Sequence, residues 1–105
     1  MKTVYHTIFK HNVAFHIGQK ASDHFKMLDN AKSSDLWFHL DNYPSCHIIA
    51  SVPECVSREQ IKRIIKHGIR LSKEHSRHGQ DVNVIYRRVY LVSKGEKEGE
   101  VILNM

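Results

Sequence analysis

One stretch in the second half of the chain constrains the fold most, because it carries a complete helix signature. Ser57 stands three residues before Gln60, which is the spacing of a capping box at a helix N-terminus. Gly79 is of the residue type that most often ends helices. Together these residues predict a helix over about 58–77 that stops at Gly79.

The predicted helix has two chemically different faces when its residues are spaced at 3.6 per turn. The apolar face holds Ile61, Ile64, Ile65, Gly68, Leu71 and Ser72. The far face holds Lys62, Arg63, Lys66, Arg70, Lys73 and Arg77. Only Glu59 and Glu74 dilute this positive charge. Gly68 lies in mid-helix, where glycine costs about 1 kcal/mol relative to alanine, so we expect a strand to pass close to it.

The other segments alternate β-branched and aromatic residues between turn-forming residues, which is typical of strands. Strands are predicted over 3–9, 13–17, 36–40, 46–52, 82–91 and 101–103, and a short helix over 21–28. The first two strands form a hairpin with its turn at Lys10-His11-Asn12, because asparagine tolerates left-handed backbone. A change of alternation at Arg87-Arg88 predicts a bulge or bend. We therefore predict one α+β domain over residues 1–105, a small mixed or antiparallel sheet packed against one long basic amphipathic helix.

The net positive charge of the chain indicates which kinds of partner such a domain would bind. The chain has 105 residues and a net charge of +5 with histidine neutral. Concentrated on one helix face, that charge has two interpretations: an ordinary solvated surface, or a surface that follows the phosphates of a nucleic acid.

Cysteine use and hydropathy bear on other classes of protein. Cys46 and Cys55 are too few for a disulfide scaffold, and their spacing matches no zinc motif. We therefore expect neither a metal nor another cofactor. The N-terminal residues and the rest of the chain hold no apolar window of signal-peptide or membrane-spanning length, so we expect no membrane partner and a cytoplasmic location.

The most distinctive motif is Asp35-Leu36-Trp37-Phe38-His39, followed after a turn by His47. His39 and His47 are predicted to be cross-strand neighbours, which leaves three chemical interpretations open. They could bind a metal, although Cys46 should point to the opposite face of its strand and leaves the ligand set incomplete. Asp35 and a histidine could form an acid–base pair. The imidazoles and Trp37 or Tyr43 could stack on and hydrogen-bond unpaired bases, although for Trp37 by itself a core position is favoured.

Several of these segments together resemble the NFACT-R domain. They are Ile17-Gly18-Gln19-Lys20-Ala21, the Asp-x-Trp-Phe-His run, Pro44-Ser45-Cys46-His47, and the closing strands over 82–94 and 99–103. The resemblance covers most of the chain from about Val13, and its most specific part is the Asp-x-Trp-Phe-His run with His47 eight residues beyond His39. The family usually has glycine where Ser45 stands, and a positive φ at that position would strain serine.

Members of the NFACT-R family are known as a proposed RNA-binding module of ribosome quality control factors, which bind the large ribosomal subunit and tRNA. The resemblance implies a stand-alone RNA-binding module here, contacting tRNA or ribosomal RNA in translation or ribosome quality control. Phosphates would lie on the basic helix face, and bases or sugars would contact a second set of residues, Asp35, Trp37, His39 and His47. Lys20, in the turn before the short helix, would also contact RNA. The alternatives are a protein-interaction module that docks on a ribosomal or RNA-modifying partner, and a small RNA-processing enzyme that uses Asp35, His39 and His47. Of these, we expect a binding protein and no catalysis.

Overall fold

The helix that the capping box predicts is the longest element of the computed structural model, which describes residues 1–41, 45–76, 81–97 and 100–104. In chain order the elements are β1 (Lys2–Ile8), β2 (His11–Gly18), α1 (Ala21–Asn30), β3 (Leu36–Leu40), β4 (His47–Ala50), α2 (Arg58–Glu74), β5 (Val84–Arg88), a 3₁₀ turn (Val89–Leu91), β6 (Val92–Lys94) and β7 (Val101–Leu103).

Five strands form the main sheet in the order β1-β2-β4-β3-β5. Each neighbouring pair is antiparallel, and a separate antiparallel pair is formed by β6 and β7. The predicted α+β class with an antiparallel sheet is therefore confirmed. One long helix is only part of what packs on the sheet, because the short helix predicted over 21–28 is also present, as the ten-residue helix α1. It packs on the sheet face opposite to α2, where Met27 joins the cluster around Trp37.

Helix α2 covers the core side of the sheet. Its N-cap is the predicted capping box, in which the Gln60 amide donates to the Ser57 hydroxyl at 3.2 Å and the Ser57 amide donates to the Gln60 side chain at 2.7 Å. Helix residues Ile64 and Leu71 are buried against the inward side chains of the four strands β1 to β4. The helix ends at Glu74, and Arg77 and Gly79, which the sequence places in its last turn and at its stop, lie outside the described residues.

Gly68 lies where α2 approaches the sheet closely. A Cβ atom built on Gly68 would lie 2.2 Å from Cζ of Phe38, which is fully buried. The aromatic ring occupies the space that any larger residue on the helix would need. The close approach that the mid-helix glycine predicts is therefore confirmed.

The hairpin turn differs from its prediction. Ile8 pairs with His11, so the turn consists of Phe9 and Lys10 rather than Lys10-His11-Asn12. Asn12 lies inside β2 and pairs with Thr7. The left-handed residue is Phe9, at φ 56°. The register is fixed instead by apolar side chains of both strands that must face α2 together, and this requirement overrides the local preference of asparagine.

The bend predicted at Arg87-Arg88 is present one residue later. Strand β5 ends at Arg88, and the 3₁₀ turn Val89–Leu91 redirects the chain into β6. The amide of Val89 donates to the carbonyl of Asp35 at 2.8 Å. This bond holds the bend against the start of β3.

Among the residues that the structure describes, no helix combines the length and the apolar character that crossing a membrane requires.

Candidate nucleic-acid interface

The basic residues of α2 lie on the face turned away from the sheet. We call Lys62, Arg63, Lys66, Arg70 and Lys73 the basic stripe. The first four are exposed, and Lys73 is half-buried. The predicted sixth member, Arg77, lies outside the described residues. Helical spacing therefore brings five of the six predicted cations onto one continuous surface.

Two neighbouring glutamates offset part of the positive charge of the basic stripe. Lys62 Nζ lies 3.7 Å from a carboxylate oxygen of Glu59, and Arg70 Nε lies 3.6 Å from a carboxylate oxygen of Glu74. All four side chains are more than half exposed, and exposed pairs of this kind contribute at most about 1 kcal/mol. A phosphate group can therefore compete for both cations at small cost.

The remaining cations of the stripe line a shallow groove on the helix surface. Arg63, Lys66 and Lys73 meet there with His67 and Arg70. Arg70 Nη2 lies 3.3 Å from Nδ1 of His67. Burial and the neighbouring Arg70, His6, Arg63 and Lys66 lower the pKa of His67. The ring is therefore neutral at pH 7, and an anion in the groove would favour its protonation.

The stripe continues onto the β1–β2 hairpin. The guanidinium of Arg63 lies 5.4 Å from the ring centroid of Phe9 in the turn, within the range of a cation–π interaction. One turn further along the helix, the rings of His67 and His6 stack at 5.0 Å. Neither Phe9 nor His6 was among the predicted site residues. The sequence carries only a weak indication of their position, because hairpin side chains reach α2 only through the strand register.

Asp35 does not lie in this interface. The side chain is buried, and its two oxygens accept from the backbone amides of Lys32 and Val52, each at 2.9 Å. The ammonium of Lys32 lies 3.9 Å from the same carboxylate and donates to the Val52 carbonyl at 2.8 Å. Asp35 thus ties the loop before β3 to the segment after β4. Backbone amides engage both carboxylate oxygens, and the predicted role of Asp35 in RNA binding or acid–base chemistry stays a prediction.

Trp37 and the two motif histidines form a buried cluster on the α1 side of the sheet. Trp37 is 2% exposed and His47 is 6% exposed. His39 and His47 are the cross-strand neighbours that the motif predicts, with ring centroids 4.7 Å apart. Trp37 Nε1 donates to His47 Nδ1 at 3.4 Å, and His39 Nδ1 donates to the Leu40 carbonyl at 2.7 Å. Only half-buried His39 remains partly accessible to a ligand.

A third histidine completes this cluster and was missed by the sequence analysis. The ring of His24, from α1, stacks on His47 at 3.5 Å and 5°, and its Nε2 donates to the Gly18 carbonyl at 3.3 Å. The indication in the sequence is the spacing of His24 and Met27, three residues apart, which puts a histidine on the buried face of the short helix. We call His24, His39 and His47 the histidine cluster.

The histidine cluster has the geometry of packed rings. Imidazole lone pairs lie in the ring plane, so the stacked rings of His24 and His47 do not converge on one ion. Among the described residues, no group of three histidine, cysteine or acidic side chains is placed to hold a metal. Cys46 is on the opposite face, as predicted, where its sulfur lies 3.9 Å from the hydroxyl of Ser76.

The predicted strain at Ser45 is absent. Ser45 is not among the residues with positive φ in the described part of the chain, which are Phe9 and Cys55. Its hydroxyl accepts from the Leu40 amide at 3.2 Å and donates to the Cys46 carbonyl at 3.0 Å. The hydroxyl thus satisfies two backbone groups between β3 and β4.

Lys20 is separate from the basic stripe. It is exposed at the N-cap of α1. The carboxylate of Asp23 accepts from the backbone amides of Gln19 and Lys20, both at 3.3 Å. An acidic group therefore already engages the two backbone amides that precede this helix, and its negative charge disfavours a phosphate there.

A hydroxyl–imidazole pair lies elsewhere on the α1 side. His16 Nε2 is 3.0 Å from the Ser51 hydroxyl, and His16 Nδ1 is 3.0 Å from the Thr3 hydroxyl. The amides of Ser51 and Val52 are already bonded, to the Ala14 carbonyl and to Asp35. Acyl transfer needs free donors for an oxyanion beside the nucleophile, and these two amides cannot supply them.

The histidine cluster predicts that stability falls in acid. Burial, and then the charges that His24 and His39 would carry, lower the pKa of His47 from 6.5 to about 2. Burial also lowers the pKa of His39. Below pH 6.5 the unfolded chain takes up protons that the folded chain resists, so the free energy of unfolding should decrease as the pH falls from 6.5 towards 2. His47 alone contributes a slope of about 1.4 kcal/mol per pH unit.

Urea unfolding at pH 7.5, 6 and 5 measures this slope for the wild type and for the variant His47→Gln. The amide of glutamine does not titrate in this range. The variant should therefore show a pH slope smaller by about 1.4 kcal/mol per unit. Equal slopes for the two proteins would show that His47 takes up its proton in the folded state.

Comparison with known proteins shows the fold and no family. No family model and no curated protein matches the chain. Among solved structures, the C-terminal part of the fibronectin/fibrinogen-binding protein from Streptococcus suis superposes with a TM-score of 0.77 at 19% sequence identity. The match covers 100% of this chain and 43% of that structure. The chain is thus similar in fold to less than half of that protein, and 19% identity supports a shared fold alone.

Proposed function

We propose that this domain binds RNA and that the basic stripe holds the RNA phosphates. The observation that carries the proposal is the division of α2 into two faces. Ile64, Gly68 and Leu71 are buried against the sheet, whereas four of the five stripe residues are exposed on the far face. Folding accounts for the apolar face but gives no reason to align five like charges, which repel each other along the helix.

A polyanion relieves this repulsion. The stripe extends over the twelve residues from Lys62 to Lys73, which span about 16 Å along a helix that rises 1.5 Å per residue. Single-stranded nucleic acids follow positively charged grooves of this kind. The groove between Arg63 and Lys73, which also holds neutral His67, gives the phosphates a concave path. We further propose that the domain is of the NFACT-R type and acts on tRNA or ribosomal RNA in the cytoplasm, as the motif resemblance implies.

Fewer of the residues predicted to contact bases or sugars are accessible to RNA than the sequence suggested. Trp37 and His47 are buried and Asp35 is bonded to backbone amides. We propose that these three residues support the fold beneath the interface and that direct RNA contacts come from the stripe.

Protein docking is the second candidate. Tyr90 and Ile102 are exposed by 64% and 49%, close to the β6–β7 pair. The structural neighbour is named for binding fibronectin and fibrinogen. A protein partner would contact these exposed apolar side chains, and its affinity would depend little on salt.

Replacing Lys66, Arg70 and Lys73 together by glutamine should weaken RNA binding. About three phosphate contacts are lost, so the log–log dependence of affinity on salt should flatten by about two units. Stability should change by about 0.5 kcal/mol or less, because the three side chains are on the outer face and glutamine is a good helix former. Fluorescence anisotropy with a labelled RNA, together with thermal melting, measures both quantities.

The matched control removes the same charge elsewhere. Lys2, Lys26 and Lys97 are exposed and lie outside the stripe. Their triple replacement by glutamine should leave the salt slope within about half a unit of wild type. Equal losses of affinity and slope in the two triple variants would point to net charge alone and would contradict a specific role of α2.

A further inference from the structure

The turn of the β1–β2 hairpin holds an exposed aromatic residue in an unfavourable backbone conformation. Phe9 has φ 56° and is 54% exposed. It is the first residue of the two-residue turn between the paired residues Ile8 and His11. A positive φ at this position is normally taken by glycine, because glycine has no Cβ to clash.

Folding does not account for this phenylalanine. The hairpin is anchored in the core by its neighbours Ile8 and Val13, which are 3% and 1% exposed. Lys10, the other residue of the turn, is exposed as well. A bulky residue that is both strained and half outside the core commonly marks a functional position.

The surroundings of Phe9 indicate what it could bind. The guanidinium of Arg63, a member of the basic stripe, lies 5.4 Å from the centre of the ring. More than half of the side chain surface nevertheless remains exposed. An aromatic ring beside phosphate-binding cations is the arrangement that stacks unpaired bases, because every base offers a flat face regardless of sequence.

We propose that Phe9 is a stacking platform for an unpaired base, and that the domain therefore prefers single-stranded RNA to duplex RNA. This inference rests on the proposed function of the basic stripe. A strand whose phosphates follow α2 would place one base on Phe9, while Arg63 and Lys10 contact the adjoining phosphates. Bases inside a duplex are already stacked on each other and cannot use the ring.

The test compares Phe9→Ala with Tyr5→Ala as its matched control. Tyr5 is an equally exposed aromatic residue of the same hairpin, 62% exposed, but it faces away from α2 because its neighbours Val4 and His6 face the helix. The probes are a fluorescein-labelled oligouridylate of twelve nucleotides and a blunt RNA duplex of twelve base pairs. Anisotropy titrations at several salt concentrations give the affinity and its salt slope.

Phe9→Ala should weaken binding of the oligouridylate by roughly 5- to 150-fold, the usual effect of removing one stacking aromatic residue. Its salt slope should equal that of wild type, because phenylalanine neutralises no phosphate. Binding of the duplex by Phe9→Ala should stay within about twofold of wild type. Binding of both probes by Tyr5→Ala should stay within the same range. A further variant, Phe9→Gly, should lose the same affinity while melting no lower than wild type, since glycine accepts φ 56° without strain.

Three other outcomes would contradict one or both proposals. If Phe9→Ala binds the oligouridylate like wild type while the triple glutamine variant of α2 loses affinity, the stacking role is wrong and the proposed function stands. If Phe9→Ala and Tyr5→Ala weaken both probes equally, the effect is a general one on the hairpin, and the stacking role is again wrong. If wild type binds neither probe at low salt, both proposals are overturned.

Discussion

Replacing Gly68 by valine should strongly destabilise the domain. A Cβ at this position would lie 2.2 Å from Cζ of Phe38, and the other nearest ring atoms would lie within 2.5 Å. Phe38 is fully buried in the main core, so its ring has no free space to enter. Either the helix must move away from the sheet or the ring must leave its rotamer.

The expected loss is about 3 kcal/mol or more, the upper range for overpacking a close-packed core. For a domain of this size it corresponds to a decrease in melting temperature of roughly 12–24 °C. Thermal melting followed by circular dichroism measures it. Lys66→Val is the control, because it puts the same side chain on the outer face of the same helix and should cost less than about 1 kcal/mol. A Gly68→Val protein that melts within a few degrees of wild type would show that α2 does not lie against Phe38.

The main helix and the strands could be predicted because their information is local. The capping box of Ser57 and Gln60, the apolar periodicity of α2 and the alternation within β2 are all visible within a few residues. Gly68 was also informative, because a glycine in mid-helix on an apolar face has few explanations other than close packing. The sequence therefore predicted both helix α2 and the face of this helix that is buried against the sheet.

The features that were missed depend on contacts between distant segments. The hairpin turn was placed at residues 10–12 because Asn12 tolerates left-handed backbone, but the register that buries Val13 and Phe15 moves the turn to Phe9 and Lys10. Local preference cannot reveal a strained phenylalanine, since the strain exists only because the rest of the hairpin requires it.

The grouping of basic residues in the candidate site could be predicted from the sequence, whereas the roles of the motif residues could not. Spacing alone brings the cations of the basic stripe together. The motif residues Asp35 and His47 had a functional interpretation in the sequence, whereas a core position was favoured for Trp37. The sequence could not separate these roles further, because burial is a property of the assembled sheet. His24 was missed for the same reason: its stacking on His47 requires α1 to fold over the strand ends. Residues that hold a fold together and residues that bind a ligand can carry the same side chains.

Salt should have the largest effect on the proposed activity. Each cation of the stripe that contacts a phosphate releases a counterion from the RNA, so affinity falls as a power of the salt concentration. For a single strand the log–log slope is about −0.7 per phosphate, which gives about −3 to −4 for about four to six contacts. A tenfold increase in salt should therefore weaken binding by roughly 10³- to 10⁴-fold.

The most direct test of the central claim is this salt titration on the wild-type domain. Anisotropy of a labelled single-stranded RNA is measured at pH 7.5 while potassium chloride is raised from about 50 to 500 mM, with the slope expected from counterion release. If the basic stripe binds phosphates, affinity plotted against salt concentration should give a straight log–log line with a slope of about −3 to −4. A slope near zero, or no binding at the lowest salt concentration, would contradict a phosphate-binding role for the basic stripe.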